Sequence, residues 1–140
     1  MTILDQFSTF YTDLASMKID QLAYIYSEDV EFIDPIASHQ GIEAVKTYFS
    51  RLLKNAKGCR FTIHSKQTVN SNDFVVTWTM RYSSKSINQG DPVIVDGVTL
   101  LRTNNNMIVY HRDYYDLGQM VYENIPILGF LVKKIRKRMA

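Results

Sequence analysis

The amino-acid sequence predicts an α+β fold, in which three N-terminal helices pack on a strongly curved antiparallel sheet and an extra helix follows at the C-terminus. Up to Gly58, apolar side chains recur mainly at the spacing of an amphipathic helix, and beyond it they alternate with polar ones as in strands. Short polar connections between the successive strands favour an antiparallel meander. The 140 residues, of which 46% are hydrophobic, suffice for one domain with its own core.

Apolar residues at helical spacing predict the three N-terminal helices. The first covers about residues 3–14, and the second, over residues 19–26, has Asp20 in its first turn, where a carboxylate favours the helix dipole. A third helix follows over residues 42–53, and Gly58 is a good stop signal for it. Together the three helices are expected to cover one face of the sheet.

Alternating apolar and polar residues predict the strands. A short strand over residues 30–34 ends at Pro35, because the residue before a proline is pushed into an extended conformation. The strands of the meander are expected over residues 59–64, 74–82, 93–102 and 107–115. If this sheet curls strongly, its concave side and the helices enclose a cone-shaped apolar cavity, which is a default small-molecule site.

The charge distribution separates a mildly acidic body from a basic C-terminal segment. Five of the 16 basic residues lie in the last eight positions, and the rest of the chain carries 11 basic and 14 acidic side chains. Such a body is not typical of a nucleic-acid-binding domain, so no nucleic-acid partner is expected. We therefore predict a cone domain over residues 1–118 and a basic amphipathic helical extension over residues 119–140.

Composition argues against several classes of protein. A single cysteine, Cys59, cannot form an internal disulfide, which argues against a stapled secreted scaffold. No basic patch followed by an apolar run begins the sequence, and no stretch of about 18 uncharged apolar residues occurs in it. A cytoplasmic protein is therefore expected, and the basic extension adds the alternative of a peripheral position at a membrane.

Asp34 is the first candidate for a catalytic residue. It shares the face of its strand with Phe32, so both side chains point to the core if Phe32 does. Apolar surroundings raise the pKa of a carboxyl group, which suits a general acid or base near neutral pH. The alternative is an Asp-Pro turn, in which the Asp34 side chain caps the following loop.

The last strand carries the second group of candidates. Strict alternation places His111, Asp113 and Tyr115 on one face, together with Met107 and Val109. An aspartate beside an imidazole fixes the tautomer of the ring, so His111 and Asp113 are expected to act together. The alternative is a ladder of charged pairs on a face exposed to water.

The sequence contains no metal-binding motif and no phosphate-binding glycine loop. The three histidines, His39, His64 and His111, are scattered without ligand spacing, so neither a metal nor a cofactor is expected. Trp78 and Met80 lie on the apolar face of the second strand of the meander, where they are either core residues or part of a pocket wall.

The C-terminal extension has two interpretations. Over residues 127–139, apolar side chains recur at helical spacing with lysines and arginines between them. A basic amphipathic helix is typical of proteins that lie on a membrane surface, and each cation adds roughly 1 kcal/mol near an anionic surface. Packing over the domain or on a second subunit is the alternative.

Two short segments of the chain resemble motifs of known enzyme families. Phe-Ile-Asp-Pro-Ile-Ala-Ser at residues 32–38 resembles the segment of ketosteroid isomerases that supplies the proton-shuttling aspartate, which matches Asp34. Arg-Asp-Tyr-Tyr-Asp-Leu at residues 112–117 resembles the Arg-Asp-Tyr-Phe-Asp-Leu ending of limonene epoxide hydrolases, and the match makes Asp113 a pocket carboxylate, as in SnoaL-like polyketide cyclases. With the order of elements over about residues 3–118, the chain resembles the nuclear transport factor two-like superfamily, particularly its SnoaL-like branch.

The resemblance has departures that bear on the reaction. A gap-free match places Phe10 where the isomerases have an oxyanion-stabilising tyrosine, with Tyr11 one position away. Met80 and Tyr82 stand near the positions of an arginine and an aspartate of the epoxide hydrolases, and Asp34 replaces their base-side asparagine. The resemblance thus predicts the fold and leaves the reaction open.

The resemblance implies that Asp34 and Asp113 project into one apolar cavity. Two carboxylates in a poorly hydrated site cannot both be ionised at low cost, so one is expected to hold a proton near neutral pH. Such a pair moves a proton across a small lipophilic substrate without a cofactor, while His111 and Tyr115 polarise or orient the substrate. The other substrate contacts are expected from Tyr11, Phe32, Trp78 and Met80.

Three functions are compatible with this fold. The first is a cofactor-independent isomerase, cyclase or hydrolase, and the second is a non-catalytic pocket for a lipophilic ligand. The third is an interaction module, because the fold often pairs through its sheet, and the outer Tyr110, Arg112 and Tyr114 would then line a homodimer face. Fold alone does not decide among them.

Overall fold

A curved, open sheet of six strands with helices against it makes up the structure, a computed structural model that describes residues 1–140. The helices are α1 (Ile3–Thr12), α2 (Ile42–Asn55), α3 (Leu117–Met120) and α4 (Leu128–Met139). The strands are β1 (Tyr26–Ile33), β2 (Ser38–Gln40), β3 (Lys57–Thr68), β4 (Asp73–Ser83), β5 (Val93–Asn104) and β6 (Met107–Tyr115). The predicted α+β cone fold is confirmed, and the division of the chain near residue 118 stays a prediction.

The sheet has the strand order β2-β1-β6-β5-β4-β3. From β3 to β6 each strand pairs with the next, which is the predicted antiparallel meander. One pairing departs from the antiparallel expectation, because β1 runs parallel to β6. A parallel pair needs a long crossover connection, and the chain from β2 to β5 supplies it.

The second predicted helix is shorter and of a different type. Ile19–Tyr24 forms a 3₁₀ helix, and Tyr26 begins β1 instead of ending the helix. Ile25 and Tyr26 are neighbours, yet both are buried, with exposed fractions of 3% and 1%. Two adjacent buried side chains break the alternation of a strand, but they are usual on the apolar face of a helix, as Phe10 and Tyr11 are in α1. The pattern therefore favoured a helix where β1 begins.

Three further boundaries differ from the predicted ones. α1 ends at Thr12, and Leu14 lies in a separate 3₁₀ turn. α2 ends at Asn55, so Gly58 does not stop the helix but lies within β3, where its φ is +64°. β2 replaces an expected loop and pairs with the end of β1. Local propensity does not predict this short strand, because its pairing with β1 is what defines it.

A β-bulge in β6 changes which side chains face the core. The register of β6 against β5 shifts at Val109, which is the extra residue of the bulge. Ile108 is fully buried, so Ile108, and not Met107 or Val109, shares the core face with His111. Strict alternation holds beyond the bulge, and His111 and Asp113 lie on one face as predicted.

The main core lies between the sheet and helices α1 and α2. The predicted inward face of β4 is confirmed, since Val76, Trp78 and Tyr82 are at most 7% exposed. Gly97 of β5 allows the indole ring of Trp78 to lie against the backbone, because a β-carbon at this position would overlap the ring. This packing holds the Trp78 ring against the inner face of the sheet.

Candidate functional site

A cavity of about 300 Å³ lies between the inner face of the sheet and the C-terminal half of α2. Of the 23 residues that line it, 18 are hydrophobic. The five polar ones are Asp34, Arg51, Asn55, Ser84 and Asp113. Arg51 and Asn55 are exposed and mark the rim, whereas the two aspartates are partly buried. The cavity therefore combines an apolar wall with two carboxylates.

The structure brings the predicted site residues together from four separate elements. Besides Asp34 and Asp113, the lining includes every residue predicted to contact a substrate: Tyr11, Phe32, Trp78, Met80 and Tyr115. His111 is not part of the wall, because it lies behind Asp113 and is only 1% exposed. The roles of these residues stay predictions, while their common location is a property of the fold.

Asp34 both caps a turn and faces the cavity. Its Oδ1 accepts hydrogen bonds from the backbone N–H groups of Ile36 and Ala37, at 2.8 and 3.0 Å. Its Oδ2 accepts a short hydrogen bond from the hydroxyl of Tyr48 on α2. The two interpretations of Asp34 are thus compatible, since the turn holds the carboxylate in place at the cavity wall.

Asp113 has one satisfied oxygen and one without a protein partner. Its Oδ1 accepts hydrogen bonds from Nε2 of His111 at 2.8 Å and from Oγ1 of Thr99 at 2.5 Å. Thr99 in turn accepts a hydrogen bond from Nε1 of Trp78 at 2.8 Å. Oδ2 of Asp113 takes part in no hydrogen bond within the protein, and no bond joins the two aspartates. Asp113 is therefore held rigidly while one of its oxygens stays available to a ligand.

A chain of buried hydroxyl groups leads away from the other side of the His111 ring. Nδ1 of His111 lies 2.8 Å from the hydroxyl of Tyr26, which lies 2.7 Å from the hydroxyl of Tyr11. Burial is the main cause that raises the pKa of both tyrosines well above the usual value, so both are neutral. When Nε2 of His111 donates to Asp113 and Nδ1 accepts, Tyr11 donates to Tyr26 and Tyr26 donates to Nδ1. This chain connects Tyr11 in the cavity wall with Asp113.

Two further tyrosines of the wall are also neutral donors. Burial raises the pKa of Tyr48 far above its usual value, and the hydrogen bond to Asp34 raises it further. Burial likewise raises the pKa of Tyr115, with smaller contributions from the charges of Asp34 and Asp113. The hydroxyl hydrogen of Tyr48 is donated to Asp34, so the hydroxyl of Tyr115 is the one that can donate a hydrogen bond to an oxygen of a bound molecule.

The packing around His111 fixes its orientation. The ring stacks on Phe32 with centroids 4.1 Å apart and an angle of 19° between the planes. With hydrogen bonds on both nitrogen atoms and one face covered by Phe32, the imidazole has one orientation. His111 is therefore held against Asp113 and is not part of the cavity wall.

Comparison with known proteins gives the family of the chain. The family model of the SnoaL-like domain matches residues 7–111, which is three quarters of the sequence. The chain belongs to the SnoaL-like family. No curated protein is a significant match to this SnoaL-like chain.

Solved structures with the same fold include proteins of different description. A hypothetical protein with a ketosteroid isomerase-like fold from Catenulispora acidiphila, in complex with trimethylamine, is 21% identical with a TM-score of 0.76, over 90% of this SnoaL-like chain and 96% of that one. A putative SnoaL-like polyketide cyclase from Jannaschia sp. is 16% identical with a TM-score of 0.68, over 82% and 86%. An LEH-like epoxide hydrolase of M. tuberculosis is 14% identical with a TM-score of 0.67, over 84% and 83%. At these identities the likeness concerns the fold.

Three polar residues of the site were missed in the sequence of this SnoaL-like chain. Tyr26 was placed in a helix, so its contact with His111 was not expected. Thr99 is a polar residue at a buried position of β5, between the buried Val95 and Leu101. A polar residue within this otherwise apolar face of the strand could have indicated that Thr99 belongs to a polar site. Tyr48 lies beside Phe49 on the apolar face of α2. Its role as a hydrogen-bond donor to Asp34 could not be predicted before the position of Asp34 was known.

No three histidine, cysteine, aspartate or glutamate side chains cluster so that they could hold a metal ion. The single cysteine of the SnoaL-like domain lies in the cavity wall instead. Burial raises the pKa of the Cys59 thiol to about 11. Because the thiolate is the reactive form, we expect iodoacetamide to alkylate Cys59 on the order of 100-fold more slowly at neutral pH in the folded chain than after unfolding in urea.

The pH dependence of this reaction has a definite sign. The alkylation rate of the folded chain should keep rising with pH up to about 11, whereas that of the unfolded chain levels off earlier. Since the folded chain holds the thiol proton more tightly, this proton stabilises the fold at lower pH. Its contribution is lost as the pH rises from the unfolded pKa towards about 11. Mass spectrometry of timed samples measures the rates, and equal rates in both states would show that Cys59 is not buried.

Proposed function

We propose that the chain is a cofactor-independent enzyme that moves a proton on a small lipophilic substrate by general acid–base catalysis. The observation that supports the proposal is the free Oδ2 of Asp113 in an apolar cavity, on a carboxylate held through its other oxygen by His111 and Thr99. A carboxylate without hydrogen-bond donors on one oxygen is a better base than one whose oxygens are both occupied. Asp113 is therefore the proposed general base.

The other polar groups have distinct proposed roles. Asp34 accepts hydrogen bonds on both oxygens, so it is the weaker base of the two, and its proposed role is to contact the substrate rather than to remove the proton. Negative charge that develops on a substrate oxygen after proton removal needs a hydrogen-bond donor, and the neutral hydroxyl of Tyr115 in the cavity wall supplies it. His111 positions Asp113, and Tyr26 holds the tautomer of His111.

The cavity limits the class of substrate. Its volume of about 300 Å³ and its largely hydrophobic wall suit a small apolar molecule with few polar groups. Return of the proton to another atom of such a molecule is an isomerisation. Attack of the resulting carbanion on a carbonyl carbon of the same molecule, whose oxygen then takes the proton, is a cyclisation. Removal of a proton from a water molecule that attacks the substrate and breaks one of its bonds is a hydrolysis. These reaction classes agree with the isomerase, cyclase or hydrolase expected from the sequence.

A non-catalytic lipophile-binding protein is the second candidate function, and the same apolar cavity supports it. Association into a homodimer through the outer face of the sheet also stays a proposal. There the side chain of Tyr114 is 49% exposed, and the guanidinium of Arg112 lies 4.9 Å from its ring centroid. Neither alternative requires a carboxylate to act as a base, so a proton-transfer assay separates them from the enzyme.

A generic apolar probe tests the proposal without knowledge of the substrate. A carboxylate base removes the ring C–H proton of 5-nitrobenzisoxazole, the N–O bond breaks, and a coloured cyanophenolate forms. We expect the wild-type chain to accelerate this elimination at least about 10²-fold over an equal concentration of free acetate, since an apolar cavity activates the base. Naphthalene, which has no acidic proton, should inhibit by filling the cavity. A wild-type rate equal to that of acetate, or one that naphthalene leaves unchanged, would contradict the proposal.

A further inference from the structure

Helix α4 stands largely free of the rest of the protein. Its main contacts are with residues 122–124, and Gly129 is its one buried residue. A β-carbon at Gly129 would overlap the backbone of Glu123, so the glycine allows this close approach. Two turns further along, Arg136 forms an ion pair with Glu123 at 2.6 Å. These contacts fix one side of α4 and leave its other sides uncovered.

An apolar stripe lies on an uncovered side of α4. Leu128, Leu131, Ile135 and Met139 recur at intervals of three or four residues, so they share one side of the helix. Their exposed fractions are 39%, 49%, 59% and 84%. Phe130, which lies on the other side of the helix, is 68% exposed. Isolated exposed apolar side chains are common, but a continuous stripe of this kind indicates an interaction surface.

The remaining positions of α4 are strongly basic. Lys133, Lys134, Lys137 and Arg138 make no ion pair, and with Phe130 they line a shallow surface groove. No acidic residue follows Glu123 in the sequence. Helix α4 therefore presents a positive charge that is not compensated within the helix, on the sides that flank and oppose the apolar stripe.

We propose that α4 is a docking surface for an anionic lipid bilayer. The apolar stripe would enter the boundary between headgroups and acyl chains, while the lysines and arginines contact the anionic headgroups. A second α4 of another copy does not fit the stripe as well, because it would bring two helices of like charge together. This inference does not rest on the proposed function, since it involves no residue of the cavity.

Vesicle co-sedimentation of the full chain tests this surface. We expect binding to vesicles of phosphatidylcholine with phosphatidylglycerol in about a 3:1 ratio, and at least tenfold weaker binding to phosphatidylcholine alone. Binding should also weaken on going from about 0.1 M to 0.5 M salt, because salt screens exposed charges. Equal binding to both kinds of vesicle, or no binding to either, would overturn the proposal.

Matched variants test the residues. Lys133→Gln combined with Lys137→Gln should weaken binding to the anionic vesicles about tenfold or more, and Ile135→Gln should weaken it as well. The control is Arg60→Gln combined with Arg81→Gln, which removes the same charge at exposed positions of β3 and β4 and should change binding less than twofold.

Two outcomes would count against the helix as the membrane contact. If the control pair lost as much affinity as the pair in α4, the attraction would come from net charge alone. If the wild-type chain self-associated in analytical ultracentrifugation without lipid, and Ile135→Gln abolished this association together with vesicle binding, the stripe would serve a second copy. Circular dichroism establishes that each variant is folded.

Discussion

Asparagine in place of Asp113 is expected to slow the elimination of 5-nitrobenzisoxazole by about 10²–10⁴-fold, the range typical of a lost general base. An amide does not accept the proton, although it has nearly the shape of the carboxylate. The amide oxygen still accepts the hydrogen bonds that His111 and Thr99 donate to Oδ1. The fold should therefore persist, and the loss should appear in kcat rather than in the amount of folded protein. The rate is measured from the absorbance of the phenolate product.

Asp116→Asn is the matched control for this prediction. Asp116 lies three residues further along the chain, is not part of the cavity wall, and caps α3 through the N–H groups of Gly118 and Gln119. Asparagine is an equally good N-cap, so the elimination rate should stay within about twofold of the wild-type rate. If Asp113→Asn kept the wild-type rate, or if both variants lost activity alike, Asp113 would not be the base.

Of the substitutions proposed here, Phe32→Ala should cause the largest loss of stability, about 3–5 kcal/mol in the free energy of unfolding. Phe32 is 2% exposed and contacts Tyr26, Tyr48 and Phe49 edge-on. The substitution also removes the ring on which His111 stacks. Urea denaturation followed by Trp78 fluorescence measures the change. We also expect the variant to lose probe activity under conditions in which it remains folded, because His111 would no longer hold Asp113.

Tyr24→Ala is the control, since it removes an aromatic ring at a position that is 72% exposed. A substitution at such a surface position should change the free energy of unfolding by at most about 0.5 kcal/mol. A loss below about 1 kcal/mol for Phe32→Ala would mean that the region around His111 is not packed as the structure describes. A stable Phe32→Ala variant with full activity would also contradict the positioning role of His111.

Periodicity in the sequence predicted the helices and strands that bury only one of their faces. The apolar spacing of α2 and the alternation in β4 mark the sides that meet in the core, because each of these elements packs on one side only. The antiparallel meander could be predicted because the connections between its strands are short and polar. The 3₁₀ helix Ile19–Tyr24 and the start of β1 could not, because Ile25 and Tyr26 are adjacent and both buried. Such a pair is usual on the apolar face of a helix and breaks the alternation of a strand, so the pattern favoured a helix where β1 begins.

The candidate site was only partly accessible from the sequence. Alternation placed His111 beside Asp113, and the shared face of Phe32 and Asp34 pointed to the second carboxylate. The contacts that determine their chemistry are made by Tyr26, Tyr48 and Thr99, which come from other elements. A hydrogen bond such as that between Tyr26 and His111 joins residues 85 positions apart, so no local pattern contains it.

The sequence by itself determined the α+β class, the inward face of β4, the pairing of His111 with Asp113 and the basic character of the C-terminal segment. Each of these depends on residues close together in the chain, or on composition. Only the tertiary structure decided that β1 runs beside β6, that a bulge turns Ile108 inward, and that Asp34 and Asp113 face one cavity. It also decided that the apolar stripe of α4 stays uncovered. Such features depend on which distant surfaces meet, and hydrophobic burial, which drives their meeting, is not directional.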